Sequence, residues 1–323
     1  EHLAARGLIE PTYPDPLVEE LHSLQRGARF HFEAAMQAVN RADHAAAAES
    51  FAAGLAEAPG NARARASYAR TLWIAGRKEE ALTELERAAA DGPAETLPRF
   101  LLAVARDAAG DDVAAEAGYR AVLMLDPGHQ GALTYLGGLL LRQGNAAAAA
   151  EVLGRAVDGG SNLLPIHLQY WGALRAAGAD EALLLEKLRA FDKRFPEPPL
   201  FRYLEARLRL SAQSPQVADP AAALEIARAL HAAQPIPPHV ELLALALAVN
   251  GQTAEAATRL DDLAGTARQA GALQAVDAIE AAAAEYRAGR LPDPLWPLDD
   301  PLFRAPPADP DGPMRNYPAA QPF

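Results

Sequence analysis

The residues in this sequence that could do chemistry are eight histidines and several paired acids. A metal site needs three or four His, Asp or Glu side chains that converge on one point. Paired carboxylates act as acid and base only where their surroundings push the two pKa values apart. His22 and His31, or His231 and His239, have no carboxylate at ligand-like spacing. Asp111–Asp112 and Asp261–Asp262 fall at helix starts or on helical faces, where acids suit the local dipole or solvent. There is no Gly-rich phosphate loop with a lysine, no helix with paired histidines for zinc, and no nucleophile elbow. With no cysteine, disulfides, thiolate metal sites and a cysteine nucleophile are excluded. The sequence reads as non-enzymatic, with no catalytic residue, no metal and no cofactor.

Composition narrows what the chain holds instead. Half of its 323 residues are hydrophobic but only 6% are aromatic, and alanine dominates. Alanine has the best helix propensity and the smallest apolar side chain, so helices rich in it approach closely. The net charge of −12, without a basic cluster, would repel duplex DNA and anionic membranes, so no nucleic-acid partner is expected. No apolar run is long enough for a transmembrane segment. The chain starts at Glu1 rather than methionine, which reads as a mature or trimmed product. A removed signal peptide or lipid anchor favours the periplasm or cell envelope over the cytoplasm.

The elements that position any binding residue are written as a repeat. Gly76, Gly110, Gly144 and Gly178 stand 34 residues apart, a period that signals stacked supersecondary units. In 62–95, Ala62, Ala66, Ala69, Leu72 and Trp73 form one helical stripe, and Gly76 ends that helix. Ala81, Leu85 and Ala88 form the stripe of a second helix, and Pro93 closes the unit. Each unit is therefore a helical hairpin with small residues where its helices cross.

With Tyr68, Ala69, Leu72, Gly76, Ala81, Leu85, Ala88 and Pro93 in one unit, the chain resembles the tetratricopeptide-repeat family. Leu102, Ala103, Gly110, Ala115, Tyr119, Val122 and Pro127 carry the pattern in the next, and Leu136, Gly137, Leu140, Gly144, Ala149, Leu153 and Ala156 in the one after. The resemblance implies an all-α, right-handed solenoid of about seven helical hairpins over 28–270. Two departures stand out. Trp171 replaces a small residue, which predicts a register slip, and a long loop, 211–220, interrupts a later hairpin.

The ends differ from the repeats. Residues 1–27 hold a short amphipathic helix opened by Asp15–Pro16, expected to cap the first hairpin, and 271–290 is expected to cap the last. The tail, 291–323, is too proline-rich for a helix, yet carries Leu295, Trp296, Leu302, Phe303, Tyr317 and Phe323. A disordered tail rarely holds so many large apolar residues, so its first half is expected to pack along the solenoid.

The family's recognition surface is formed by the first helix of each hairpin. Carried over by position, it implies a site of Phe32, Met36, Val39, Arg70, Trp73, Ile74, Phe100, Val104, Leu141, Arg142 and Leu168, with Arg175 beside them. The lysine-and-amide clamp by which some members grip an acidic C-terminus is missing. An apolar face of this kind has three readings: a protein partner, a hydrophobic small molecule such as a lipid, or core filled by the chain's own tail. Burying roughly 400 Å² of apolar ligand at about 25 cal/mol/Å² gives on the order of 10 kcal/mol before losses, enough for micromolar binding. The leading expectation is an adaptor or scaffold for protein partners. The alternative is an envelope carrier of an apolar small molecule, which requires an enclosed dry cavity beside Phe32, Trp73 and Phe100.

Overall fold

The computed structural model describes residues 27–316. The helix expected after Asp15–Pro16, and Tyr317 and Phe323, lie outside them. The described residues form sixteen α-helices and one 3-10 turn, with no strand among them. Seven hairpins succeed one another. The first four are α1 Ala28–Asn40 with α2 His44–Glu57, α3 Ala62–Ile74 with α4 Lys78–Asp91, α5 Thr96–Ala108 with α6 Asp112–Leu125, and α7 Gln130–Arg142 with α8 Ala146–Asp158. The last three are α9 Leu164–Ala176 with α10 Glu181–Arg194, α11 Leu200–Ser211 with α12 Pro220–Ala233, and α13 Pro237–Val249 with α14 Thr253–Gln269. A single helix follows, α15 Leu273–Arg287; the tail, expected to hold no helix, then forms the 3-10 turn Pro301–Phe303 and the short α16 Asp311–Asn316, where Pro301 and Pro313 sit in the first turn and cost no helical hydrogen bond.

The chain divides into two compact units, one reaching Leu136 and resuming at Pro307, the other Gly137–Pro306. In the first, Phe32, Ala35, Phe51, Leu55 and Ala64 form a core between successive hairpins. Ala66, Ala69, Ala81 and Ala88 are fully buried, as close helix crossings require. In the second unit, Trp171, Leu184, Leu188, Phe191, Phe201 and Leu204 form one core. A second core runs from Ala206 through α13 to Tyr286 and is closed by Val276, Ile279 and Ala283 of α15.

The 34-residue period is a turn with fixed backbone geometry. At Gly76 the N–H reaches Trp73 and the Arg77 N–H reaches Leu72, the paired bonds that satisfy the last carbonyls of a helix. The geometry places Gly76, Gly110, Gly144 and Gly178 at φ between 76° and 82°, the left-handed region where a Cβ is disfavoured. Asp111 and Asn145 then cap the next helix by accepting from the N–H of Ala114 and Ala148. One period upstream of Gly76 the same turn is built on an alanine. Ala42 has φ 58°, with its N–H on Val39 and that of Asp43 on Ala38.

The predicted register slip at Trp171 does not occur: α9 starts at Leu164 and Gly178 takes its turn in phase. The indole is fully buried at the hairpin crossing and its Nε1–H donates to the Leu184 carbonyl at 3.0 Å. A large ring with a satisfied polar atom thus replaces the small residue without shifting the period. The loop after α11 is held rather than idle. The N–H groups of Gln213 and Ser214 donate to the Glu181 carboxylate at 3.0 and 2.8 Å, and Val217 is buried.

His129 and His167 are buried within this packing. His129 accepts from the Ala132 N–H through Nδ1 at 3.0 Å, capping α7, and its ring lies 4.9 Å from Phe100. His167 donates through Nδ1 to the Leu163 carbonyl at 3.1 Å and sits between Phe191 and Phe195, with Nε2 buried and unpaired. Burial pushes both below the usual imidazole value of 6.5.

Two outcomes are expected. Ala42→Gly relieves a left-handed backbone that costs an L-residue roughly 1–2 kcal/mol, less the extra chain entropy of glycine. Urea unfolding should show a gain of about 0.5–1 kcal/mol. A histidine whose folded pKa is depressed contributes stability that is present above 6.5 and is lost as pH falls through the folded value. The melting midpoint should therefore drop between pH 7.5 and 5, and His129→Asn, which keeps a capping side chain, should flatten that drop.

Candidate functional site

In each unit, first helices carry polar side chains that meet the C-terminal segment, most of them at its main-chain carbonyls. In the second unit, α9 presents Arg175, whose guanidinium donates to the carbonyls of Trp296 at 2.6 Å and Pro297 at 3.0 Å. At the end of α7, Arg142 donates to the Pro306 carbonyl at 2.8 Å. Residue numbers in the segment rise from α9 to α7, so within this unit it runs against the order of the helices.

Trp296 is the anchor. It is 4% exposed and stacks on Trp171 with ring centroids 5.5 Å apart and planes 23° from parallel. The Arg175 guanidinium lies 4.2 Å from its ring centroid and that of Arg207, on α11, lies 5.0 Å away. Such contacts stabilise by about 0.5–2 kcal/mol each as water is excluded. The indole Nε1–H donates to the Asp300 carboxylate at 2.7 Å, and Asp300 also accepts from the Leu302 N–H, which fixes the turn into Phe303. The Phe303 ring reaches the same platform, 5.4 Å from Trp171. Gly172 makes that approach possible, because a Cβ there would lie 2.7 Å from the Phe303 ring.

In the first unit the donors are Tyr135, Trp73 and Arg70. Tyr135 donates to the Asp309 carbonyl at 2.9 Å, and burial together with Asp309 and Asp107 raises its hydroxyl to about 12. Trp73 Nε1–H donates to the Asp311 carboxylate at 2.7 Å, with the Lys78 ammonium 4.9 Å from its ring. Arg70 donates to the carbonyls of Met314 at 2.8 Å and Arg315 at 3.3 Å. Met314 is fully buried beside a cavity of about 190 Å³ that Met36, Val39, Arg70 and Ile74 also line. Burial lowers the guanidinium pKa of Arg70 and Arg175 without removing their charge.

The residues read from the sequence therefore separate into three groups. Met36, Val39, Arg70, Trp73, Ile74 and Arg142 meet residues of the C-terminal segment or line the cavity it borders. Phe32, Phe100 and Val104 are instead core, at 2%, 1% and 0% exposure. Phe32 packs on Phe51, and Phe100 on Tyr119, His129 and Tyr135, because a first helix also has to bury one side against its own hairpin partner. Leu141 is half-buried near the end of α7, and Leu168 is half-buried against the core around Trp171. Tyr135, Trp171, Gly172 and Arg207 were not marked from sequence. Trp171 was visible there only as a misfit, and the misfit is the platform.

Phe32 and Phe100 are packed in hairpin core, and Trp73 is bonded to Asp311. In the second unit a space of about 570 Å³, open to solvent, lies beside Trp296 and is walled by Arg175, Glu181, Leu208, Gln213 and Leu291. Among the described residues, no three His, Asp or Glu side chains gather as a metal would need, and no helix is long and apolar enough to cross a membrane.

Residues 38–106 match the sequence model of the tetratricopeptide repeat. No curated protein matches the chain. Among solved structures, a tetratricopeptide repeat protein from Parabacteroides merdae ATCC 43184 is similar at 16% identity and a TM-score of 0.47, over 80% of this chain and 98% of that one. The MamA protein is similar at 16% identity and 0.45, over 52% of this chain and 89% of its own. The tetratricopeptide domain of P58(IPK) is similar at 13% and 0.31, over 86% and 95%. At these scores the likenesses carry no argument, and what the chain shares with the tetratricopeptide repeat is the matched segment, the 34-residue period and the hairpin geometry.

Removing the Arg175 side chain deletes two charge-assisted hydrogen bonds and one cation–π contact. Arg175→Ala should speed tryptic cleavage after Arg304 by about tenfold or more, the equivalent of roughly 1.4 kcal/mol, while helix content stays unchanged by circular dichroism.

Proposed function

We propose that this tetratricopeptide-repeat protein is a non-enzymatic adaptor whose first-helix face binds an extended segment of a protein partner through that segment's main-chain carbonyls. The observation that carries the reading is the contact of Arg175 with the carbonyls of Trp296 and Pro297, repeated by Arg142 at Pro306. A guanidinium that donates to main-chain oxygens recognises an extended backbone, and prolines favour that shape because they lower the entropy lost on binding. Backbone recognition supplies affinity with little sequence dependence, and pockets for individual side chains supply the choice among partners. The apolar-carrier alternative has no support of this kind, since Phe32 and Phe100 are hairpin core, Trp73 is bonded to Asp311, and the space beside Trp296 is open.

The test is isothermal titration of a synthetic peptide spanning Leu291–Pro306 into the full chain bearing Trp296→Ala and Phe303→Ala, which weakens its own copy. Saturable binding in the micromolar range, weakened at least tenfold by Arg175→Ala, is the expected result. An absence of heat, or binding that ignores Arg175, would contradict the reading.

A further inference from the structure

The segment on this face is the protein's own, and its attachment is sparse. From 291 to 310, Trp296 alone is buried, with Leu295, Asp300, Phe303, Ala305, Ala308 and Pro310 partly covered and the rest exposed. Its backbone bonds are short-range, from Phe303 N–H to Asp300 and from Arg304 N–H to Pro301. The helices hold it by side chains, chiefly Arg175 on two carbonyls and the Trp171 platform under two rings. A segment with few buried contacts and no shared backbone ladder opens locally, without unfolding what lies beneath it.

Departure of that segment takes Trp296 out of the core around Trp171 and Phe303 from its margin, and the helices keep the rest. Leu184, Leu188, Phe191, Phe201 and Leu204 pack on one another between helices, and Trp171 keeps its bond to the Leu184 carbonyl. Departure would uncover an aromatic platform, two arginines and the hollow above Gly172. These are the features of an aromatic-anchored binding site: a rigid flat ring, cations that favour an electron-rich partner, and a missing Cβ that lets a second ring approach.

We infer that residues 291–306 are a displaceable strap that competes in cis for this face, and that the partner which displaces it carries the same two-anchor pattern. That pattern is an acidic, proline-containing extended segment with a tryptophan and a phenylalanine seven residues apart. The spacing is set by Trp296 and Phe303, both on Trp171, and the acid by Asp300, which bonds the Trp296 indole and lies 3.9 Å from Arg207. Charge points the same way. Residues 291–306 carry three aspartates against one arginine, and the face that receives them presents Arg142, Arg175 and Arg207. The inference rests on the peptide-binding reading above and adds competition and the spacing code to it.

Tethering sets the size of the effect. α15 ends at Arg287, and Leu291 already lines the cavity beside Arg175, so the tether is only a few residues long. A short tether gives an effective concentration of about 1 mM, so a peptide of about 1 µM intrinsic affinity is outcompeted roughly a thousandfold.

Fluorescence anisotropy with labelled peptide Leu291–Pro306 tests both parts, on the full wild-type chain and on full chain carrying Trp296→Ala and Phe303→Ala. A second full-length protein, with a protease site inserted after Arg290 and its anchors intact, is assayed before and after cutting and dilution. It keeps the test valid should the double variant fold poorly. Binding should tighten by about a thousandfold in the double variant and in the cut protein relative to wild type, and fall at least tenfold when Asp299 is deleted from the peptide to shorten the spacing. Equal affinity for strapped and released protein would overturn the competition while leaving peptide binding in place. Indifference to the deletion would overturn the spacing code. Binding by neither protein would sink both this inference and the reading beneath it.

Discussion

A hairpin of two short helices cannot cover its own apolar faces, and the rest of this structure follows from that constraint. Each pair buries one side within itself and must cover another with its neighbour. Alanine at the crossings lets this happen at short range, and it is why Ala35, Ala66, Ala81 and Ala88 are fully buried. The series has to end somewhere, and α15 closes it with Val276, Ile279, Ala283 and Tyr286. The first-helix face has no following hairpin to cover it. In each unit part of that surface is met by the C-terminal segment instead, at Trp296 and Phe303 in one and at Met314 in the other.

The way the segment is held differs from the way the hairpins hold each other. Between hairpins the interaction is apolar and continuous, a core in the ordinary sense. Between helix and segment it is discontinuous: a guanidinium on two carbonyls, a phenol on another, and an indole sandwiched by ring and cation. Such contacts are individually worth little more than about 1–2 kcal/mol once exchange with water is counted. They are directional, so they select a backbone path and a ring position without committing much area. A surface built in this way suits recognition that must be reversible.

Much of the fold was legible in the sequence because the turn is chemically demanding. A left-handed residue every 34 positions leaves a glycine at Gly76, Gly110, Gly144 and Gly178, and helix length and phase follow from it. The same argument carried one period upstream lands on Ala42, where the signal is hidden because the chain tolerates strain at one turn. The face was less legible. Position within a repeat picks out Arg70, Trp73 and Arg142, which lie near the end of a first helix and meet the segment. It could not separate Phe32, Phe100 and Val104, which turn inward, because an apolar residue at a given helical phase looks the same whether a hairpin partner or a ligand covers it. Trp171 was hardest to read. Its meaning depends on Trp296 and Phe303, more than a hundred residues away in sequence, and no local pattern carries that pairing.

Binding at this face requires the C-terminal segment to leave it while the hairpins stay folded. Native-state amide hydrogen exchange on the unmodified full chain, followed as a function of low denaturant, reports this directly. Amides of residues 295–304 should exchange through an opening that is orders of magnitude more frequent than that of α9 and α11 and nearly independent of denaturant. If they exchange only with those helices, at the same free energy and with the same denaturant slope, the segment is part of the cooperative fold, and the face beneath it is not a binding site.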